Sequence, residues 1–264
     1  MTRLQVRKTY KLYIGGAFPR SESGRTLVVE GANIARASRK DLRDAVRIAR
    51  QAGAGWWGMT AYNRGQVLYR IAEMMEDRHA ALSAASSEAD VSRAIDRVVW
   101  YAGWADKLAQ TVGSSNPVAG PYFNFTVPEP TGVVGIIAPQ KPALLGLVSR
   151  LLPVIVGGNT VVVVASEAHP LAAIELAECL ATADVPGGVV NILTGQRAEL
   201  APVLAAHMDV AALDLAGADG DAAELERLGA ENVKRVVHGH PDRQSLYEIT
   251  PFLELKTVWH PVGM

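Results

Sequence analysis

The feature that most constrains the fold is an alternation of apolar runs with helical segments between Gly132 and His238. The runs are short and apolar at consecutive positions, which is typical of strands buried on both faces. Because each run is followed by a segment with helical spacing, the strands are joined by crossovers and run parallel. The pattern predicts a doubly wound α/β fold. The five predicted strands are Val133–Ala138, Thr160–Ala165, Val189–Leu193, Val210–Leu215 and Val233–His238, and the helices between them are Leu144–Ile155, Leu171–Thr182, Glu199–His207 and Ala222–Leu228.

Three amphipathic helices are predicted before Gly113. The first begins at a capping box, Ser38-Arg-Lys-Asp41, and is expected to end at Gly53-Ala-Gly55. The other two are Arg64–Leu82 and Ala89–Leu108. Strand patterns outside the α/β region are Lys11–Phe18, Tyr122–Val127 and Phe252–His260.

Composition excludes several function classes. The 264 residues carry 26 Lys and Arg against 27 Asp and Glu, which gives no electrostatic reason to expect nucleic acid or an anionic membrane as a partner. The apolar runs are too short to span a bilayer, and Met1–Lys11 lacks the apolar stretch of a signal peptide. A single cysteine precludes an internal disulfide, so a reducing, cytoplasmic location is expected.

Several segments resemble the NAD(P)-dependent aldehyde dehydrogenase superfamily in the order in which they occur there. Gly132-Val-Val-Gly-Ile-Ile-Ala-Pro139 resembles the first strand of its Rossmann-like cofactor domain, Gly158–Glu167 the second and Pro186–Gly195 the third. The sequence is especially similar to the C-terminal half of bacterial two-module aldehyde dehydrogenases. The segments that carry this likeness are Tyr10-Lys-Leu-Tyr-Ile-Gly-Gly16, Tyr62-Asn-Arg-Gly65 and Pro121-Tyr-Phe-Asn-Phe125.

The resemblance implies a domain organisation. Residues 1–120 would form the N-terminal arm and helices of the cofactor domain, and residues 132–240 a degenerate Rossmann-like domain. Residues 121–131 and 241–264 would supply oligomerisation strands.

The resemblance also implies a chemistry. Family members attack an aldehyde with a cysteine thiolate, transfer hydride to the nicotinamide and release the acid with water activated by a glutamate. The cysteine lies in a catalytic domain after the fifth strand, and the glutamate just beyond that strand. In this chain the fifth strand ends in Val236-Val-His-Gly-His240, and only a short segment separates it from the strand pattern that begins at Phe252. The family's Pro-Trp-Asn motif, which supplies the oxyanion donor, reads Pro139-Gln-Lys141. We therefore expect no catalytic residue, and a pseudoenzyme subunit on its own.

The cofactor motifs are partly kept. The family's Lys-Pro-Ser-Glu contact to the adenosine ribose reads Val164-Ala-Ser-Glu167, which retains Ser166 and Glu167 and loses the lysine. Gly195 and Gly217 are also at family positions, so these four residues form the expected vestigial cofactor site.

Other changes in the cofactor motifs argue against nucleotide binding. The stretch beside the pyrophosphate reads Leu215-Ala-Gly-Ala-Asp-Gly-Asp-Ala222, without the family's hydroxyls. Asp219 and Asp221 would lie at the helix N-terminus where phosphates dock, and like charge is unfavourable there. We expect weak or no NAD binding in this chain, with NAD or NADP held by a partner subunit.

The tail motif Leu253-Glu-Leu-Lys-Thr-Val258 resembles a family strand that belongs to the oligomerisation sheet. Tyr122–Val127 resembles another part of that sheet. Because edge strands bind partners by main-chain pairing, the leading hypothesis is a non-catalytic subunit that assembles with a full-length aldehyde dehydrogenase through Tyr122–Val127 and Phe252–His260.

Two alternatives remain open. The chain could be a nucleotide-sensing regulatory module that uses the degenerate cleft, or an enzyme in its own right that uses Cys179 or Lys141.

Remaining candidates favour structural roles. Cys179 lies in a helical apolar stripe, which favours a buried, inert thiol. His238 and His240 share a strand face without a carboxylate cluster, so a metal site is not favoured. Arg36–Arg50 is typical of a solvated helix face, and Trp259 fits an interface anchor as well as a core residue. Packing is favoured for the remaining tryptophans, Trp56, Trp57, Trp100 and Trp104.

Overall fold

The computed structural model describes residue 4 and residues 7–263. Its helices are α1 Arg39–Gly58, α2 Ala61–Asp77, α3 His79–Ala85, α4 Glu88–Ala102, α5 Leu108–Val112, α6 Ala143–Val156, α7 Pro170–Thr182, α8 Arg197–Ala206 and α9 Ala222–Ala230. Its strands are β1 Thr9–Tyr10, β2 Thr26–Val29, β3 Ala32–Ala35, β4 Ser114–Asn116, β5 Tyr122–Pro130, β6 Val133–Ile137, β7 Thr160–Val164, β8 Val190–Leu193, β9 Ala212–Asp214, β10 Arg235–Val237 and β11 Leu253–Pro261.

The predicted parallel sheet is confirmed. Five strands run parallel in the order β10-β9-β6-β7-β8. Alternate residues of β7 enter different cores: Val161 and Val163 pack with α2, α4, α6 and α7, whereas Val162 and Val164 pack with α1 and α8. Helices on both faces explain why the strands are apolar at every position.

The first helix begins as predicted and ends later. Ser38 and Asp41 form the reciprocal bonds of a capping box. The predicted end at Gly53-Ala-Gly55 is wrong, because α1 continues to Gly58. The fully buried Trp56, whose Nε1 donates to the carbonyl oxygen of Ile155 at 2.9 Å, holds this last turn against the core.

The prediction of three N-terminal helices is also wrong, since the described residues before Gly113 form five helices. The segment Arg64–Leu82 spans the break at Arg78 between α2 and α3. The segment Ala89–Leu108 covers α4 and a turn before α5.

The predicted strand Lys11–Phe18 is a tight turn with isolated bridges at Tyr13, Ile14 and Ala17. The adjacent glycines account for the difference, because Gly15 and Gly16 both have positive φ and reverse the chain. The antiparallel hairpin β2-β3, which pairs with β1, was not predicted.

The predicted strands Tyr122–Val127 and Phe252–His260 are confirmed as β5 and β11, and they pair with each other. β11 runs antiparallel to β5 from Leu253 opposite Pro130 to Pro261 opposite Tyr122. β4 lies on the other side of β5, so β11 is an edge strand of this three-stranded sheet.

Among the described residues, no helix has the length and apolar character needed to cross a membrane. The sequence interpretation of Met1–Lys11 falls partly outside the described residues.

Candidate functional site

The four predicted cofactor residues all follow carboxyl ends of parallel strands. Ser166 and Glu167 follow β7, Gly195 follows β8, and Gly217 follows β9. Carboxyl ends of parallel strands lie along one edge of a sheet, so the topology brings these loops to the same side of the molecule. Ser166 is buried and Glu167 is exposed.

Gln140, which follows β6, engages Ser166. The Ser166 hydroxyl donates to Oε1 of Gln140 at 2.9 Å, and the same oxygen accepts the Ala168 N–H at 3.1 Å. The Ser166 hydroxyl also accepts the His169 N–H at 3.0 Å. These bonds hold the β7 loop against the β6 loop.

Gly217 lies against the backbone of the β6 loop. Its N–H donates to the carbonyl oxygen of Ile137 at 2.9 Å, and a Cβ at this position would lie 2.0 Å from the carbonyl oxygen of Ala138. The backbone contact therefore requires glycine here. Gly195 packs against Ala37 and Leu200.

The N-terminus of α9 carries acidic side chains, as the sequence indicates. Asp219 and Asp221 immediately precede the helix, and Arg197 contacts them at 2.8 and 3.5 Å. Arg197 also donates to the carbonyl oxygen of Gly217 at 2.7 Å. Two carboxylates therefore lie where the resemblance implies that phosphates dock, and one cation, Arg197, contacts both of them.

A buried ion cluster lies beside this edge of the sheet. Arg150, fully buried in α6, donates through Nε to Asp214 at the end of β9 over 2.7 Å and also pairs with Glu248. Burial alone would lower the pKa of Arg150, but the two carboxylates raise it overall. A Cβ on Gly239 would lie 2.0 Å from Cζ of Arg150, so the chain passes directly over the guanidinium.

A second arginine fixes the segment that joins β10 to β11. Arg97 of α4 donates to Oγ of Ser149 at 2.5 Å and to the carbonyl oxygens of Asp242 and Arg243 at 3.1 and 3.0 Å. These bonds hold the backbone at Asp242 and Arg243 against α4.

A cleft with a volume of about 700 Å³ includes Lys141. Asp90 in its wall accepts the N–H groups of Leu144 and Leu145 at 3.1 and 3.2 Å, which caps α6. His169 pairs with Glu30 at 2.8 Å. Lys141 is exposed at the mouth of this cleft.

The single cysteine lies elsewhere. Cys179 is fully buried in α7, and burial raises the pKa of its thiol to about 12. The thiolate is the nucleophilic form, and at this pKa it is scarce near neutral pH. The interpretation of Cys179 as a buried residue is confirmed.

His238 and His240 do not form a cluster. Nε2 of His238 lies 2.6 Å from Oε1 of Glu226, and Nδ1 of His240 accepts the Asp242 N–H at 3.2 Å. In the described part of the chain, no three His, Cys, Asp or Glu residues are grouped so that they could hold a metal ion. Trp259 is 58% exposed, which excludes the alternative of an internal core residue.

The sequence interpretation missed Gln140, Arg197 and Arg150. A signal for Arg150 was present, because it is the one charged residue within the apolar helix Leu144–Ile155. Its partners could not be inferred, since Asp214 and Glu248 lie 64 and 98 positions away.

Comparison with known proteins defines the class. The model of the aldehyde dehydrogenase family matches residues 29–239, so the chain belongs to this family. It is 34% identical to retinal dehydrogenase 2 of Gallus gallus, over 88% of this chain and 48% of that protein. It is 32% identical to cytosolic aldehyde dehydrogenase 1 of Elephantulus edwardii, over 89% of this chain and 51% of that protein.

Solved structures of aldehyde dehydrogenases have the same fold as this chain. HpcC from Thermus thermophilus superposes with a TM-score of 0.82 at 30% identity, over 87% of this chain and 47% of that one. The NAD⁺ complex of aldehyde dehydrogenase from Bacillus cereus gives a TM-score of 0.80 at 26% identity, over 87% and 50%. The chain thus spans about half the length of the relatives it matches.

The comparisons correct one prediction. The sequence interpretation classed the chain as a pseudoenzyme, whereas the relatives that match it are named aldehyde and retinal dehydrogenases. The chain is a member of an enzyme family, and the prediction that it is not an enzyme is wrong.

Proposed function

We propose that this chain is an assembly subunit that binds a full-length aldehyde dehydrogenase through strands β5 and β11. The observation that carries the proposal is the sheet β11-β5-β4, whose outer strand β11 is nine residues long and exposed from Leu255 to its end at Pro261. Long exposed edge strands are binding sites for a further strand, since their N–H and C=O groups can pair with another chain.

Aromatic side chains lie on both faces of the β5–β11 pair. On one face, Tyr122 and Trp259 are 46% and 58% exposed, and their rings meet edge to face at 5.8 Å. On the other face, the rings of Phe123 and Phe125 lie 5.3 Å apart beside Val258, which is 40% exposed. Exposed clusters of aromatic residues are typical of interface anchors.

The β5–β11 pair is fixed in the free chain. Arg235 of β10 donates to the carbonyl oxygens of Pro251 and Leu253 at 3.0 and 2.7 Å and to Glu254 at 2.8 Å. A preorganised strand loses little conformational entropy when it binds, which favours assembly.

The cofactor belongs to the partner in this proposal. The acidic side chains at the start of α9 and the apolar Val164 make this chain a weak binder of NAD or NADP, and the full-length subunit binds it instead.

Co-purification tests the proposal. A tagged full-length aldehyde dehydrogenase encoded in the same genome is produced together with this chain, and we expect the two to elute together. Val258→Asp and Trp259→Asp introduce charge on the two faces of β11 and should abolish recovery of this chain. Val28→Asp is the matched control, because Val28 is 67% exposed on β2, which lies in a different sheet. Equal recovery of all three variants would contradict the proposal.

A further inference from the structure

The pairing of β11 with β5 determines which backbone groups of β11 face away from the sheet. At the two ends of this pairing, the Thr131 N–H donates to the carbonyl oxygen of Phe252 at 3.3 Å, and the Val262 N–H to that of Pro121 at 2.8 Å. Bonded and non-bonded positions alternate in an antiparallel pair, and Pro128, which has no N–H, lies at a non-bonded position. Even-numbered residues of β11 therefore bond to β5, and odd-numbered residues direct their N–H and C=O groups to the outer edge.

This outer edge has defined limits. At its start, the carbonyl oxygen of Leu253 is occupied by Arg235, which donates to it at 2.7 Å. At its end, Pro261 has no N–H. Between these limits, the odd-numbered N–H groups that no hydrogen bond within the described chain uses are those of Leu255, Thr257 and Trp259.

We propose that this edge pairs with the same edge of a second copy of this chain, antiparallel about a twofold axis at Thr257. Identical surfaces form a closed pair about such an axis. In this register Thr257 lies opposite itself and Leu255 lies opposite Trp259 of the second copy. The three open N–H groups of each copy then meet three open carbonyl oxygens of the other. Leu255 and Trp259 are 57% and 58% exposed, and the pairing brings these apolar side chains together at both ends.

The charged side chains favour this register. With the axis at Thr257, Lys256 lies opposite Val258 of the second copy. Glu254 lies opposite His260 of the second copy, so a carboxylate faces an imidazole that can donate a hydrogen bond. An axis at Lys256 would instead place two ammonium groups directly opposite each other, which is destabilising.

The backbone groups favour the same register. An axis at Lys256 would require the carbonyl oxygen of Leu253, which Arg235 already occupies. An axis at Val258 would place Pro261, which has no N–H, opposite a residue whose carbonyl oxygen would then lack a donor. The axis at Thr257 leaves none of the three open N–H groups and none of their carbonyl oxygens without a partner.

Self-pairing goes beyond the proposed assembly, since it concerns the chain without a full-length enzyme. One edge accepts only one further strand, so the two partners compete for β11. Each inference can fail separately. A chain that is monomeric alone and still co-purifies with the full-length enzyme overturns self-pairing only, whereas a dimer that never co-purifies overturns the assembly only.

Sedimentation of the isolated chain measures self-pairing. Because the contact involves one strand from each copy, we expect a transient dimer with a Kd on the order of 10 μM. Thr257→Pro removes an N–H that β5 does not use and should weaken the dimer at least about tenfold. Thr257→Val keeps that N–H and is the matched control, with an unchanged Kd. A monomer at about 200 μM, or a dimer that Thr257→Pro leaves intact, would overturn the proposal.

Cross-linking tests the register and does not depend on the proline variant. In Thr257→Cys the two Cα atoms would lie about 5.5 Å apart across the axis, which suits a disulfide. In Leu255→Cys the two cysteines would be separated by about 14 Å along the strands. The native Cys179 is fully buried and does not compete. After mild oxidation, we expect Thr257→Cys to form a covalent dimer on a non-reducing gel and Leu255→Cys to remain monomeric. Equal cross-linking of the two variants would contradict the proposed pairing.

Discussion

Arg150 lies fully buried where the carboxyl end of the parallel sheet meets the segment that leads to β11. Its guanidinium is shared by Asp214, at the end of β9, and Glu248, in the connecting segment. A buried ion pair contributes little to stability compared with apolar residues of the same volume, but removing one partner leaves an uncompensated charge. The cluster thus links residues that are distant in sequence and makes the position of the connecting segment depend on one side chain.

Arg150→Met should therefore be strongly destabilising. We expect the free energy of unfolding in urea to fall by about 3–5 kcal/mol, because Asp214 and Glu248 would remain buried without a cation. Arg227→Met is the control: it removes the same charge from an exposed pair with Glu224 and should leave the midpoint of unfolding unchanged. Similar small effects of both substitutions would show that the cluster is not buried as described.

At the scale of elements, α1 is the clearest case in which tertiary contacts override local preference. Gly53 and Gly55 favour the end of a helix, yet the helix continues and delivers Trp56 to the core. Nothing lies within 4 Å of a Cβ built on Gly53, so its methyl group would meet no neighbour.

Gly53→Ala should stabilise the protein by about 0.5–1 kcal/mol, since alanine loses less backbone entropy than glycine in a helix interior. Gly24→Ala is the matched control of opposite sign. Gly24 has a φ of 66° and open space around it, so alanine there adds backbone strain without a steric clash. Thermal unfolding measures both, and destabilisation by Gly53→Ala would place the end of α1 where the sequence predicted it.

The elements that the sequence predicted correctly are those with a strong local pattern. The apolar runs of β6 and β7 define buried parallel strands because both faces are covered. The hairpin β2-β3 has a weaker pattern, since Thr26–Val29 alternates between exposed and half-buried positions and includes no fully buried residue. A local burial pattern does not reveal β2, which is positioned by its pairing with β3.

The candidate site also has one part that the sequence predicts and one part that it does not. That Ser166, Gly195 and Gly217 share one edge follows from the parallel direction of the strands, which the sequence predicts. The contacts of Arg197 with Asp219 and Asp221 join the start of α8 to the turn before α9, and no motif signals them. Interactions between loops depend on the final packing of the helices that carry those loops.

At the scale of the whole molecule, the chain combines a parallel-sheet domain with a projecting pair of strands. The matched relatives are about twice as long as this chain. Nucleotide binding at the loops after β7, β8 and β9 and partner binding at β5 and β11 can therefore be tested separately.

Calorimetry should detect no micromolar binding of NAD to this chain. The resemblance implies that two hydrogen-bond partners of NAD are missing, the lysine replaced by Val164 and the hydroxyls absent from residues 215–222. At about 1.5–3 kcal/mol each, their loss should weaken the affinity for NAD by two or more orders of magnitude. Asp219 and Asp221 add repulsion. A full-length family member titrated under the same conditions is the control. A dissociation constant of a few micromolar for this chain would instead support the nucleotide-sensing alternative.

The most direct test of the assembly proposal is the native mass of this chain in the presence of the full-length aldehyde dehydrogenase from the same genome. The account predicts a complex whose mass exceeds that of the full-length assembly by a whole multiple of 28.1 kDa. Free full-length enzyme together with this chain at 28.1 kDa, or in multiples of itself alone, would contradict it.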